Sequence, residues 1–223
     1  SPPVLSKGRG PRTRAGQLAA EYLSTQLALL GYEPAGEKGT WFQHVPIVES
    51  VVDPSFTLSA GQGAPFKYLD DVVVFSGLQD ERVAVSGEVV FVGHGIVAPE
   101  YNWNDYAGAD VKGKIALIMV NDPPATSGEP QLFGGDALTY YGRWTYKYEI
   151  GSEKGAAAAI IIHETGPAGY PWAVVQGSWA NEQFDVPSPD ASGRVPVEGW
   201  ISLDKGRALL AASGQSFDSL KAA

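Results

Sequence analysis

The sequence predicts a mixed α/β fold in which strands dominate the middle of the chain and helices flank them. Glycine (27) and proline (16) are abundant among the 223 residues, and such frequent turn residues favour short strands over a helix bundle. Hydrophobic residues make up 44% and charged residues 18%, which excludes a disordered chain because disorder needs few apolar residues. A helical pattern, a glycine and a continuous apolar run over residues 139–163 together indicate a parallel αβ unit.

The first part of the chain predicts an arm, a helix and a strand. Residues 1–14 are polar and rich in Pro, Gly and Arg, which is typical of an extended arm. Leucines at helical spacing predict a helix over 15–30, which Gly31 ends. Residues 40–48 predict a strand, and Pro46 favours an edge position. The apolar faces of this helix and strand have no evident partner within the chain, so we expect them to be covered from outside it.

The middle of the chain alternates apolar runs with long polar loops. Strands are predicted at residues 72–75, 87–97 and 114–120, the last ended by an Asn-Asp-Pro-Pro turn. Residues 98–113 form a polar and aromatic loop between two of these runs.

A helix–strand unit follows, and then a loop-rich region. Residues 139–154 predict a helix, and residues 156–163 predict a buried strand that pairs in parallel with residues 114–120. Residues 164–196 read as loops with one or two further strands. Helices are predicted over 202–213, with Ser202 as N-cap, and over 216–222.

Charge and cysteine content exclude several classes of protein. With 16 basic and 25 acidic residues the net charge is −9, so the basic surface that nucleic-acid binding requires is not expected. The absence of cysteine excludes a disulfide framework and a thiolate metal site. No apolar run approaches the length of a membrane span, and the N-terminus lacks the apolar region of a signal peptide, which we expect to be absent or removed.

The three histidines match no zinc-hydrolase pattern. His44, His94 and His163 lie in the contexts QHVP, GHGI and IHET rather than in H-x-D or H-E-x-x-H. His163 is therefore interpreted as a histidine at a strand end with a structural partner, although the adjacent Glu164 could hydrogen-bond or ligate.

The segment GHGIVA has the spacing of a dinucleotide fingerprint, but Pro99 follows it where that motif requires a helix. Gly93 and Gly95 are better explained by a bulge or a close backbone approach. No serine has glycine at both −2 and +2, so there is no nucleophile elbow.

Aromatic residues are concentrated in three segments around residues 103, 140–148 and 170–179. One interpretation is packing between a helix and the adjacent loops. The other is an exposed aromatic surface that contacts substrate or a partner, because aromatics and arginine are favoured at interfaces. The candidate contact residues are Tyr141, Arg143, Trp144, Trp172 and Trp179.

Residues 87–123, GEVVFVGHGIVAPEYNWNDYAGADVKGKIALIMVNDP, strongly resemble a protease-associated domain. Residues 140–148, 155–164 and 170–172 resemble the form of that domain in bacterial two-zinc aminopeptidases, a superfamily shared with glutamate carboxypeptidase II and the transferrin receptor. Segments near both ends (8–10, 15–30, 39–46 and 198–213) are similar to flanking parts of the peptidase domain.

The resemblance implies a domain organisation and an architecture. Residues 1–50 would belong to the peptidase domain, 51–197 would form the protease-associated domain, and 198–223 would be a helical segment returning to the peptidase domain. The inserted domain is expected to be an open β-barrel or sandwich of mixed strands flanked by helices.

The resemblance also implies where the chemistry lies. In the family, two zinc ions are held by an H-x-D segment and a Glu-Glu pair that follow the inserted domain, and neither matches a position here. No catalytic residue, metal ligand or cofactor is therefore assigned to this chain, and two zinc ions are expected in a larger parent aminopeptidase. The expected partners are its own peptidase domain and a peptide substrate, without nucleic acid or a membrane span, in the periplasm or a secreted pool.

Two alternatives stay open. In the first, the chain is a self-standing module that binds peptide or glycan through its aromatic surface. In the second, the chain is a complete hydrolase with a catalytic site that its sequence motifs do not reveal.

Overall fold

The computed structural model describes residue 10 and residues 12–53, 55–61, 63–135, 137–190 and 193–222. The chain divides into two compact units, Ser1–Pro46 and Ile47–Ala223. Most of the arm predicted over residues 1–14 lies outside the described residues, as do Gly8 and Arg9. Within the described part of the chain, no helix is both long enough and apolar enough to cross a bilayer.

The described strands are β1 (Val48–Ser50), β2 (Val72–Ser76), β3 (Val89–Phe91), β4 (Val97–Ala98), β5 (Trp103–Asn104), β6 (Ile115–Met119), β7 (Ala158–His163), β8 (Gln183–Asp185) and β9 (Val197–Ser202). The described helices are α1 (Arg14–Leu29), α2 (Trp144–Glu153), α3 (Thr165–Ala168), α4 (Trp172–Trp179), α5 (Leu203–Ala212) and α6 (Phe217–Ala222). The mixed α/β class predicted from the sequence is confirmed.

The first unit contains α1, close to the predicted helix over 15–30. Thr13 caps it, because its side-chain oxygen accepts a hydrogen bond from the Gly16 amide at 3.0 Å. Gly31, at φ +83°, follows its end and adopts the left-handed conformation that glycine tolerates best. Within this unit none of the residues of α1 is buried.

The prediction of a strand over residues 40–48 was wrong, because the strand in this region, β1, begins only at Val48. Residues 36–42 instead close a tight turn, in which the Gly36 amide donates to the Thr40 carbonyl at 2.7 Å. Pro46 has no amide hydrogen to offer a sheet. β1 pairs antiparallel with β8 in a separate two-stranded ribbon of the second unit.

The second unit is organised around one five-stranded sheet in the order β2-β9-β7-β6-β3. β2 is antiparallel to β9, and the remaining neighbours are parallel. The predicted parallel pairing of β6 with β7 is confirmed, with Leu117 opposite Ile160. β2 and β3 are the open edges of this sheet, so the sheet does not close into the expected barrel. Helices pack on both of its faces, joined on one face by the short β4–β5 ribbon, so the described strands do not form the expected sandwich of two large sheets.

Successive side chains of the central strands point to opposite faces, and both faces are buried. On one face Ile118, Ile161 and Trp200 pack with buried residues of α2 and α4. On the other face Leu117 and Ile162 pack with buried residues of α5 and α6. This two-sided burial explains why β6 and β7 read as continuous apolar runs.

The glycines before β4 behave as the sequence predicts. Gly93 and Gly95 have φ values of 56° and 62°. A Cβ at Gly95 would lie 2.9 Å from Ile118 Cγ2, so the backbone approaches the sheet too closely for a side chain. The strand predicted over 87–97 is correspondingly interrupted, and β3 and β4 are its two described pieces.

Other predictions required correction. The helix predicted over 139–154 begins only at Trp144, because residues 140–142 form a 3₁₀ turn. Helices α3 and α4 occupy part of the region 164–196, which was expected to hold loops and strands. Ser202 stands at the N-cap position of α5 as predicted, but its side chain makes no capping hydrogen bond.

The return segment 198–223 was expected to be helical, yet its first residues form most of β9, in the interior of the sheet. Gly199 permits this position, since a Cβ there would lie 2.6 Å from the Val73 carbonyl oxygen and 2.8 Å from Val74 Cγ1. The assignment of residues 1–50 and 198–223 to a peptidase domain stays a prediction.

Replacing Gly199 with alanine is expected to lower the free energy of unfolding by about 2 kcal/mol, because the added methyl group overlaps a backbone oxygen and a side-chain carbon of β2. Urea denaturation measures the change. Gly177→Ala in α4 is the control: apart from its chain neighbours and the backbone of its own helix, no atom lies within 4 Å of its Cβ position, so a gain of about 0.5–1 kcal/mol is expected. Equal stability of the Gly199→Ala variant and the unmodified chain would contradict this account.

Candidate functional site

Two cavities of the second unit share three lining residues and are together called the aromatic groove, with a first and a second lobe. Its first lobe has a volume of about 380 Å³ and its second lobe about 220 Å³. Trp144, Tyr170 and Trp200 line both lobes. The other residues of the first lobe are Val120, Asn121, Leu138, Gly142, Arg143, Thr145, Pro167 and Ala168, and those of the second are Val174, Val175, Ser178 and Trp179.

The sheet topology places this groove beyond the carboxyl ends of parallel strands. Val120 and Asn121 directly follow β6, and Trp200 projects from β9. The N-terminus of α2 and helices α3 and α4 supply the remaining walls. Open α/β sheets commonly bind ligands at this edge.

The aromatic walls are held in place by contacts with one another. Trp179 stacks on Phe75 with ring centroids 4.0 Å apart and an interplanar angle of 6°. Trp144 meets Trp179 edge to face at 5.4 Å and Tyr148 at 5.9 Å. Trp144 nevertheless stays 37% exposed, so the packing and surface interpretations of the aromatic segments each describe part of the structure.

Three of the five candidate contact residues meet at the groove. Arg143 and Trp144 line the first lobe, and Trp144 and Trp179 line the second.

The other two candidates do not line it. Tyr141 donates a hydrogen bond to the Glu100 carboxylate at 2.6 Å, which raises the pKa of Tyr141 to about 12. Trp172 donates from Nε1 to the Leu69 carbonyl at 2.8 Å.

Sequence reasoning missed two important residues of the groove. Trp200 forms part of both lobes, but residues 198–201 carry no clear strand pattern, so its position could not be foreseen. Tyr170 belonged to the aromatic segments yet was not selected. Its place depends on the turn between α3 and α4, which the sequence did not predict as helices.

The first lobe combines apolar walls with a buried indole N–H of Trp200 and an exposed guanidinium of Arg143. Trp200 is 1% exposed, and among the described residues its Nε1 has no hydrogen-bond partner. Arg143 is exposed at the N-cap position of α2, which has neither a side-chain cap nor an acidic residue in its first turn. Of the described lining residues, Arg143 alone is charged.

A buried polar cluster behind the groove ties its loops together. The Lys147 ammonium, with the residue fully buried, donates to the carbonyls of His94 at 2.6 Å and Asn121 at 2.9 Å. His94 Nδ1 donates to the same Asn121 carbonyl at 3.0 Å. Burial, followed by the charge of Lys147, lowers the pKa of His94 to about 4, so this histidine is neutral at pH 7.

His163 lies at the end of β7, as predicted. It is 3% exposed, with ring centroids of Tyr170 and Trp172 each 5.6 Å away. Among the described residues the buried His163 Nε2 has no hydrogen-bond partner, and the Glu164 carboxylate accepts a hydrogen bond from Lys221 at 2.6 Å. Burial lowers the pKa of His163.

The described residues do not fit the two-zinc centre that the family resemblance implies for the parent enzyme. Across the part of the chain that the structure covers, no group of three or more His, Cys, Asp or Glu side chains is arranged to hold a metal ion. No catalytic step is therefore derived through zinc for these residues.

No protein-family model matches the chain, and no curated protein matches it. Among solved structures, it is similar to an aminopeptidase from Aneurinibacillus sp. strain AM-1, with a TM-score of 0.39 and 20% sequence identity. That similarity covers 92% of this chain and 37% of the aminopeptidase chain. A TM-score of this size does not establish a shared fold.

Lys147 is expected to make stability depend on pH. Burial lowers its pKa from 10.5 to about 7, against the opposing charges of Asp105 and Asp122. Between these two values the unfolded chain binds a proton that the native chain does not, so the free energy of unfolding should rise with pH from about 7 to 10.5. Denaturation at a series of pH values measures this slope.

Lys147→Met should flatten that slope, whereas Lys154→Met, at an exposed lysine that follows the same helix, should leave it unchanged. A slope that persists in the Lys147→Met variant would assign the titration to another group.

Proposed function

We propose that this chain is the non-catalytic protease-associated region of a larger zinc-dependent aminopeptidase. In this proposal it covers the active site of the parent enzyme and influences which peptides enter. The family resemblance of residues 87–123 supports the assignment to this domain type. The observation that carries the role is the aromatic groove, which offers apolar walls and hydrogen-bond donors of the kind that peptides use.

The groove is suited to select among peptides. Aromatic rings bury large apolar areas with little loss of side-chain freedom, so Trp144 and Trp179 would hold apolar side chains of a substrate. A covering domain also limits access to chain ends and excludes water from the reacting groups. Both effects alter binding and specificity without any contribution to bond cleavage from this region.

The helix α1 supports the second part of the proposal, a contact with the parent's own peptidase domain. Within α1, Leu23 is 60% exposed and Leu27 is 40% exposed, and Leu30, directly after the helix, is 74% exposed. Exposed apolar surface of this kind is typical of an interface. The peptidase domain would cover it and would carry the two zinc ions, and the parent enzyme would act in the periplasm or as a secreted protein.

A second candidate function is a self-standing module that binds peptide or glycan. The observation that favours it is that both lobes of the groove are formed by the unit Ile47–Ala223 alone. Saturable binding of an oligosaccharide by the 223-residue chain, followed by tryptophan fluorescence, would favour this module over the aminopeptidase assignment.

The location of the chemistry can be tested directly. The purified 223-residue chain is expected to show no turnover of aminoacyl p-nitroanilides, with or without added zinc, because no described group of side chains fits the metal site. If the coding frame downstream of residue 223 supplies an H-x-D segment, the longer product should be active with zinc. Robust activity of the 223-residue chain would instead support a complete hydrolase.

In such a longer enzyme, Trp144→Ala should change KM or peptide specificity and leave metal content unchanged, because Trp144 forms a wall of both lobes. Steady-state kinetics on a set of aminoacyl substrates and metal analysis measure the two effects. The control is Phe184→Ala, which removes a ring of similar exposure (40%) outside the groove. An unchanged kinetic profile in Trp144→Ala would count against a role in substrate access.

A further inference from the structure

We propose that the aromatic groove binds the carboxylate end of an apolar peptide, with the carboxylate at the N-terminus of α2 and the apolar side chains along the aromatic walls. This inference rests on the proposed function for the choice of a peptide as ligand. The orientation of the peptide and the recognition of its free carboxylate follow from the groove itself.

The first argument is charge complementarity. The chain carries a net charge of −9, yet Arg143 is the one charged group among the described residues of either lobe. Within the described part of the chain, the Arg143 guanidinium forms no ion pair, so it is available to an incoming anion. A guanidinium matches the two oxygens of a carboxylate better than any other side chain does.

The second argument is the orientation of α2. Its first turn contributes Trp144 and Thr145 to the first lobe, and no side chain caps it. The free amide hydrogens and the positive end of the helix dipole therefore lie at the same lobe as Arg143. A carboxylate bound there would provide the missing N-terminal cap.

The third argument is independent of charge. Trp200 is a buried residue that lines both lobes, and its Nε1 has no hydrogen-bond partner among the described residues. A buried donor without an acceptor costs free energy that a ligand oxygen would recover. A ligand oxygen that reached this nitrogen from either lobe would supply the missing acceptor.

The walls of the second lobe explain why the remainder of the ligand, apart from its carboxylate, is apolar. Val174, Val175 and Trp179 line it together with the shared rings, and no charged residue is among its described walls. An inorganic anion would satisfy Arg143 and leave this lobe without a partner. An apolar ligand without a charge would fill this lobe, but the hydrogen-bond donors of the first lobe would then have no anionic acceptor.

The test compares two probes that differ in one group. N-acetyl-leucyl-phenylalanine has a free carboxylate, and its C-terminal amide has the same apolar side chains without the charge. Binding to the 223-residue chain is measured by calorimetry and tryptophan fluorescence. The acid should bind saturably and about tenfold more tightly than the amide, because hydrogen bonds to a charged group are the stronger ones.

Variants separate the carboxylate contact from the apolar contact. Arg143→Ala should reduce affinity for the acid about tenfold, to the level of the amide, and should leave the amide unchanged. Arg143→Lys should restore part of the loss. Ala168→Phe narrows the first lobe and should weaken both probes. Arg82→Ala is the matched control, since Arg82 is exposed and does not line the groove.

Equal affinity for acid and amide, or an Arg143→Ala variant that binds the acid normally, would overturn the proposal. So would self-association of the chain that Ala168→Phe abolishes, because a second copy would then be the occupant of the groove. None of these outcomes affects the turnover tests of the proposed function, which depend on the longer product and on zinc. Conversely, a longer product without peptidase activity would leave the measured binding of the acid intact.

Discussion

The architecture depends on how closely β2 approaches β9. Gly199 has no side chain, and the Val73 carbonyl oxygen occupies the space that a Cβ would need. This close approach allows β9 to lie between β2 and β7, with Trp200 on one face of the sheet and Ile201 on the other. The aromatic groove follows from it, because Trp200 reaches both lobes only from this interior position.

The buried Lys147 adds a second constraint, on the loops that follow the strands. Its ammonium holds two carbonyl groups, one after β3 at His94 and one after β6 at Asn121. Burial of an amine is costly, so both carbonyls must remain in place to compensate. Since Asn121 also lines the groove, the edge of the sheet is shaped by a polar contact that lies behind the binding surface.

Local patterns in the sequence predicted the elements whose burial is uniform. β6 is apolar throughout and β7 is apolar up to its last residue, His163, so both strands and their parallel pairing could be foreseen. The regular helical spacing of α5 likewise predicted a helix. β9 could not, because Glu198 and Gly199 interrupt its apolar pattern and the reason for the glycine lies on a distant strand. Arg143 could be chosen as a candidate from its residue type and its aromatic neighbours in the sequence. The groove itself could not be predicted, because it depends on long-range contacts that local spacing does not encode.

The edge strand β3 has a consequence for how other molecules reach this chain. It contains only Val89–Phe91, and a strand of three residues exposes few free backbone amides and carbonyls at the rim of the sheet. An extended polypeptide could form only a few backbone hydrogen bonds if it paired with β3 as an additional strand. Cross-β stacking from this rim is disfavoured for the same reason.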